Sequence, residues 1–185
     1  MLDLDKILEL YTCPAKYKYT RQGREPRSIS ETTIYLSSMK TACIELAEEV
    51  FNEVDKPDSP KKIWNRVGGR ALAPLPKRSS KDSLLVRGIS ILLKWHDLLK
   101  DSYIKSLGTR LTVSIDDTKL YMDVPIVIEG KEKDIYIVLM EELSYSVRDP
   151  YKYTLSPLYS FMRTTGVDWI KFYLYVTRTQ LPIIA

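Results

Sequence analysis

The sequence predicts an α+β fold, in which a mixed sheet containing an antiparallel three-stranded meander is flanked by helices. Up to about residue 106, apolar side chains recur at spacings of three and four, which is typical of amphipathic helices. After Gly108 the period changes to two, which is typical of strands. A further helical stretch precedes a last alternating stretch, and such a crossover places the final strand parallel to an earlier one.

Three helices and one loop are predicted in the first part of the chain. A short helix covers Asp3–Leu10, and a long amphipathic helix begins near Ser30 and ends before Pro57. Residues 61–80 contain two glycines and two prolines among six basic side chains, which predicts an irregular loop. Helical spacing returns over Ser83–Ser106, and we expect the outer face of this helix to be cationic.

Three strands, a helix and a final strand are predicted in the remainder of the chain. The meander consists of Leu111–Ile115, Leu120–Ile128 and Asp134–Glu142, with short turns between them. The helix over Tyr153–Thr164 contains a proline, which is tolerated only in the first turn. The last strand covers Trp169–Thr177, and we expect it to pair in parallel because it follows a helical crossover.

The length of 185 residues predicts a single domain over residues 1–185, because roughly 100–200 residues is the usual domain size. Its parts are the N-terminal helices at 1–60, the basic loop and helix at 61–107, and the meander, helix and final strand at 108–185. Hydrophobic residues make up 44% and charged residues 28% of the chain, close to the globular average, so wholesale disorder is excluded.

The composition also bears on location. Cys13 and Cys43 are too few for a four-thiolate metal or iron–sulfur site, and a reduced, intracellular, cytoplasmic protein is expected. The chain begins with an acidic segment rather than a basic one followed by an apolar run. No apolar run approaches ~18 residues. We therefore expect neither secretion nor association with a membrane.

Positive charge is concentrated in one part of the sequence. Between Lys61 and Arg110 there are twelve Lys or Arg against three Asp, a local balance of +9 within a chain of net charge +4. Such a block favours binding of the protein to the phosphates of nucleic acid, although the solvated face of a helix can have the same composition. The predicted nucleic-acid-binding residues are Lys16, Lys18, Arg21, Arg24, Arg27, Lys61, Lys62, Arg66, Arg70, Lys77 and Arg78. If the nucleic acid is single-stranded, Tyr17, Tyr19 or Trp64 would stack on its bases.

Two segments carry a family resemblance. At Cys13-Pro14 a predicted helix end is followed by alternating basic and aromatic residues, and Ile135–Glu142 is an apolar strand that ends in two acids. With the order of predicted elements, these segments resemble the RecB/AddB-type branch of the PD-(D/E)xK nuclease superfamily. The resemblance covers most of the chain at low identity. It implies a restriction-endonuclease-like core and, in active members, DNA cleavage that depends on Mg²⁺ or Mn²⁺.

Several catalytic positions that the resemblance implies hold other residues in this chain. Ile44 stands at the expected histidine of the long helix, and Leu155 stands at the expected glutamine. No lysine occurs between Lys133 and Lys152, so the third strand of the meander has no acid-x-Lys motif. In the family, two carboxylates hold the metal ion and the lysine activates a water. The remaining catalytic candidates are Asp123, Glu141, Glu142 and Tyr159, of which Asp123 and Glu141 are the candidate metal ligands.

These observations predict a catalytically inactive RecB-like protein that binds DNA or scaffolds a replication, repair or transcription assembly. The small size of the chain suggests a phage origin, and no cofactor is expected. Two alternatives stay open. One is an active, divergent Mg²⁺- or Mn²⁺-dependent nuclease that uses Asp123 with Glu141 or Glu142. The other is a viral protein-interaction module whose basic loop meets an acidic protein partner. His96, the single histidine, is predicted to be a surface or packing residue.

Overall fold

Four helices and a five-stranded mixed sheet make up the described part of the protein, which confirms the predicted α+β class. The structure is a computed structural model. It describes residues 2–4, 6–7, 18, 21–22, 30–75, 78–115, 117–140 and 157–175. None of the helices described in these ranges combines the length and apolarity needed to cross a membrane.

The long helix α1 covers Glu31–Phe51 and confirms the prediction for this segment. Ser30 is its N-cap, and the Ser30 hydroxyl accepts a hydrogen bond from the Thr33 backbone N–H at 3.1 Å. This bond satisfies one of the backbone donors that a helix leaves unpaired at its start. The buried side of α1 carries Met39, Ala42, Cys43 and Leu46 toward the core.

Helix α2 covers Ser59–Leu72, so the predicted loop over residues 61–80 is wrong for most of its length. Pro60 lies in the first turn, where a proline costs no hydrogen bond. Gly68 is a packing residue, because a Cβ added to it, or to Gly88 of the following helix, would overlap the indole of Trp64, whereas a Cβ at Gly69 meets no atom within 4 Å. Trp64 is fully buried between helices, and its Nε1–H donates to the Leu85 carbonyl at 2.8 Å.

Helix α3 covers Arg78–Lys100 and ends earlier than predicted, since Ile104 already begins a strand. Among its described, exposed positions there is one cation, Lys100, against Asp82 and Asp97, so the expected cationic outer face is not confirmed there. Arg87 instead places its guanidinium 4.7 Å from the centre of the Tyr175 ring. The exposed stripe of α3 consists of Asp82, Ser83, Val86, Ser90, Leu93, Asp97 and Lys100.

The N-terminal residues differ from the predicted helix at its first position. Leu2–Asp3 form a short strand, β1, which pairs in parallel with the middle strand of the meander. Leu4, Lys6 and Ile7 are helical, and Leu4 is fully buried. The rest of the predicted helix lies outside the described residues.

The predicted antiparallel meander is confirmed, with strands β2 at Ile104–Ile115, β3 at Thr118–Ile128 and β4 at Ile135–Met140. Helix α4 covers Pro157–Thr164 and begins with its proline. Strand β5, Asp168–Tyr173, pairs in parallel with β4, as the crossover predicts. Gly166, between α4 and β5, has a φ of 67°, a left-handed conformation that favours glycine.

Two hydrophobic clusters cover opposite faces of the sheet. Alternate residues of β4 belong to different clusters, with Ile137 in the main core and Val138 against the second core. The main core joins α1, α2 and α3 to β3, β4 and β5. The second core joins Leu4, β3 and α4, with Phe161 fully buried at its centre.

Candidate functional site

A cleft opens where β3 and β4 separate. Along the edge of β3 opposite β2, β1 pairs only at Leu120 and Tyr121, and β4 pairs only from Ile126 to Ile128. The four residues between, 122–125, pair with neither strand in the described ladders. Position 125 is a proline, which has no backbone N–H to continue such a ladder. The separation leaves a cavity of about 250 Å³.

The cleft is lined mainly by apolar side chains. Its lining residues are Lys40, Ile44, Gly108, Met122, Asp123, Val124, Pro125, Val138 and Leu139. The position that the family resemblance assigns to a histidine, Ile44, therefore does face this cleft together with Asp123. Lys40 and Asp123 supply the charge among these described lining residues.

Asp123 forms a two-point ion pair across the β2–β3 hairpin. Its Oδ1 accepts from Nε of Arg110 at 2.7 Å, and its Oδ2 accepts from Nη2 at 2.9 Å. These bonds lower the pKa of the Asp123 carboxyl and raise that of the Arg110 guanidinium. The guanidinium carbon also lies 4.5 Å from the centre of the Tyr121 ring.

The described residues of the cleft do not fit a divalent metal ion. Mg²⁺ requires oxygen ligands in near-octahedral geometry, and both oxygens of Asp123 already accept hydrogen bonds from Arg110. Within the described ranges, no group of three or more His, Cys, Asp or Glu is placed to hold a metal. The candidates Glu141 and Glu142 lie outside those ranges. Tyr159 is half-buried in α4 and does not line the cleft.

The predicted phosphate-binding residues of the central segment share the solvent-exposed side of α2. Lys61, Lys62, Arg66 and Arg70 are all exposed, and α2 contains no acidic residue. Lys62 pairs with Asp58 at 2.6 Å, and Arg66 pairs with Glu45 at 2.8 Å. Lys61 and Arg70 have no acidic partner within the described part of the chain.

The other predicted binding residues are placed only in part. Lys18 and Arg21 are exposed. Arg78 is the first residue of α3. The predicted residues outside the described ranges are Lys16, Arg24, Arg27 and Lys77. Among the cations from Lys61 to Arg110 whose side chains are described, six contact an acid or an aromatic ring, namely Lys62, Arg66, Arg87, Lys100, Lys105 and Arg110.

Trp64 is not a base-stacking residue, which corrects the prediction. Its side chain is fully buried and its N–H is bonded to the Leu85 carbonyl, so no face of the indole reaches a ligand. Tyr17 and Tyr19 lie outside the described residues. The aromatic ring that does lie beside an exposed cation is Tyr121, which sequence reasoning missed. The observed Ile115–Thr118 pair sets the register that places Arg110 opposite Asp123, whereas the strand ends predicted from the sequence, Ile115 and Leu120, would pair Arg110 with Pro125.

His96 is a buried packing residue, as predicted. Its Nε2 lies 2.8 Å from Oδ2 of Asp55, in the connection between α1 and α2. Lys100 Nζ lies 3.7 Å from the same oxygen. The hydrogen bond from His96 is the main cause that lowers the pKa of the Asp55 carboxyl. The contact fixes α3 to this connection rather than forming part of the cleft.

Comparisons with known proteins do not place this fold and cleft in a family. No model of a known protein family, no curated protein and no solved structure matches the chain. A functional proposal for this chain therefore rests on its own geometry and charge.

Proposed function

We propose that this chain is a non-catalytic protein with a restriction-endonuclease-like core of the RecB type, and that it binds DNA through the exposed side of α2. The observation that carries the proposal is the charge of that helix. Four exposed cations follow one another along α2 without an acidic residue between them. Phosphate neutralisation supplies most of the sequence-independent affinity for DNA.

Lys61 and Arg70 are the residues that we expect to contribute most. Lys62 and Arg66 already have acidic partners, whereas Lys61 and Arg70 have none among the described residues. At a rise of 1.5 Å per residue, their nine-residue separation corresponds to about 14 Å along the helix. Nine residues are also about two and a half turns, so the two side chains lie at opposite edges of the exposed side of α2 rather than in one row. A duplex carries one negative charge per ~1.7 Å of its axis, so each edge of the helix can contact its own phosphates.

The absence of catalysis is proposed from the cleft. Hydrolysis of the family type requires carboxylates that bind a metal ion and a lysine that activates water. Asp123 is engaged by Arg110, Ile44 replaces the histidine, and the third strand of the meander contains no lysine. These features support binding without cleavage, whether the protein acts alone or within a DNA-processing assembly.

The test is a salt series of duplex binding, measured by fluorescence anisotropy on a labelled oligonucleotide with Mn²⁺ present. Replacing Lys61 and Arg70 by Ala should weaken binding and reduce the slope of log K against log [salt] by about 1.8, because each phosphate contact contributes ~0.9. The matched control replaces Lys119 and Lys131, two exposed lysines of the sheet region, and should leave the slope unchanged.

Three results would contradict the proposal. One is no duplex binding at low salt. Another is an equal loss in the Lys119 and Lys131 control, which would indicate a diffuse charge effect rather than a site on α2. Cleavage of the labelled strand that disappears with a chelator and in Asp123→Ala would instead favour the divergent nuclease.

A further inference from the structure

The exposed face of the β2–β3 hairpin contains an arginine whose plane is fixed before any ligand arrives. Arg110 and Asp123 are direct cross-strand partners, and their two hydrogen bonds of 2.7 and 2.9 Å orient the guanidinium. Tyr121, two residues before Asp123, lies against the same guanidinium at 4.5 Å. An arginine restrained in this way loses little conformational entropy when it binds a planar ligand.

This guanidinium is accessible as well as oriented. The side chains of Arg110 and Asp123 are 54% and 56% exposed. Tyr121 lies against Arg110, with the guanidinium carbon 4.5 Å from the ring centre, and more than half of the Arg110 side chain remains exposed to solvent. The neighbouring residues Thr112 and Lys119 on this side of the hairpin are also exposed.

The arrangement selects for a planar ligand rather than for a phosphate. A guanidinium has five N–H donors, and the pair with Asp123 uses the Nε–H and one N–H of Nη2, so one of the edges at which a phosphate can bind in a bidentate manner is occupied. The Asp123 carboxylate also offsets the charge that would attract a bare anion. The N–H groups that do not donate to Asp123 can contact a phosphate of the same strand, and the flat face is available to nucleic-acid bases, which stack on it in single-stranded complexes. Bases of an intact duplex are already stacked and present only their edges in the grooves.

We infer that Arg110, held between Asp123 and Tyr121, is a stacking platform for an unpaired base of single-stranded nucleic acid. The base stacks on the open face of the guanidinium. Lys40, exposed and lining the cleft that Asp123 also lines, is available for a neighbouring phosphate. This inference rests on the proposed nucleic-acid function and assigns a second site to it, separate from the cations of α2.

The test uses a single-stranded oligonucleotide that contains one 2-aminopurine, whose fluorescence is quenched when the base stacks. The wild-type protein should bind the strand and quench the probe. Arg110→Lys keeps the charge but removes the planar group, so affinity should fall roughly fivefold or more and quenching should be lost. Tyr121→Leu should act in the same direction. The control is Thr112→Ala, because Thr112 is the cross-strand partner of Tyr121, and this substitution should change neither the affinity nor the quenching.

The outcomes separate this inference from the proposed function. If Arg110→Lys binds and quenches as the wild type does, the platform is wrong, whereas salt-dependent duplex binding through Lys61 and Arg70 can still stand. If the wild type binds neither duplex nor single strand, both proposals fail. Competition by a free mononucleotide as strong as by the oligonucleotide would overturn the single-strand assignment in favour of a nucleotide site.

Discussion

Asp123 has a different chemical environment from the one its sequence context suggests. An acid on the second strand of the meander is a candidate metal ligand. The alternation of apolar and polar residues predicts both this strand and the position of Asp123 on its more polar face. Its partner was not, because Arg110 lies thirteen residues away on the other strand and is brought opposite only by the hairpin register. The carboxylate consequently orients a guanidinium.

The hydrogen bond between His96 and Asp55 is a second contact that local sequence does not predict, since the residues are 41 positions apart. It makes stability depend on pH in the acidic range. The pKa of the Asp55 carboxyl is lowered in the folded protein, chiefly by the hydrogen bond from His96. Its stabilising effect is therefore present above the unfolded pKa of about 3.9 and is lost as pH falls through the lower folded value.

We expect Asp55→Asn to reduce the free energy of unfolding by about 1 kcal/mol at pH 7, because a charged hydrogen bond is replaced by a neutral one. The difference from the wild type should shrink below about pH 4. Urea unfolding at pH 7, 5 and 3.5 measures it. A difference that stays constant over this range would show that the Asp55 charge is not the stabilising element.

Helix α2 was predicted to be a loop, and it shows why a helix with loop-like composition was harder to predict than α1. The glycines and prolines of residues 61–80 are typical of loops, although apolar residues recur at helical spacing, namely Ile63, Trp64, Val67, Ala71 and Leu72. In the structure, Gly68 and Gly88 leave room for the indole of Trp64, a packing requirement that involves two helices. By contrast, α1 was predictable, since its apolar spacing and its Ser30 cap are local signals.

Adjacent glycines of α2 provide a matched test of this packing. Gly68→Ala should lower the free energy of unfolding by about 1–3 kcal/mol, because its methyl group would overlap the Trp64 ring. Gly69→Ala meets no atom within 4 Å and should raise stability by about 0.5–1 kcal/mol through helix propensity. Thermal and urea unfolding compare the two. Stabilisation by both substitutions would show that Trp64 is not confined by Gly68.

At the scale of the whole molecule, the α+β class, the antiparallel meander and the parallel final strand all followed from periodicity and chain order. The cleft did not. It depends on β1 and β4 sharing one edge of β3 and leaving residues 122–125 between them, which is a long-range property of the sheet. The charge block was visible in the sequence, but the acids that neutralise part of it come from other elements.

The main core joins the helices to the sheet, so we expect the described elements to unfold together. Phe172 of β5 is buried with its ring 4.6 Å from that of Trp95 in α3. Phe172→Ala should cost about 3–5 kcal/mol and shift the far-UV circular dichroism and tryptophan fluorescence transitions equally. Phe51→Ala, at an exposed position of α1, should cost far less. Separate transitions for the two probes would contradict a shared core.

Strand β1 cannot pair during synthesis until its partner strand β3 has been made. Leu2 pairs with Leu120, so the partner of the second residue is translated 118 positions later. At ~5–20 residues per second, the ribosome reaches β3 on the order of ten seconds after β1 has been made. Leu4 is fully buried against β3 and α4 in the folded protein, so it lacks these packing partners for at least that time. The pairing of β1 with β3 is thus a late step in the folding of the nascent chain.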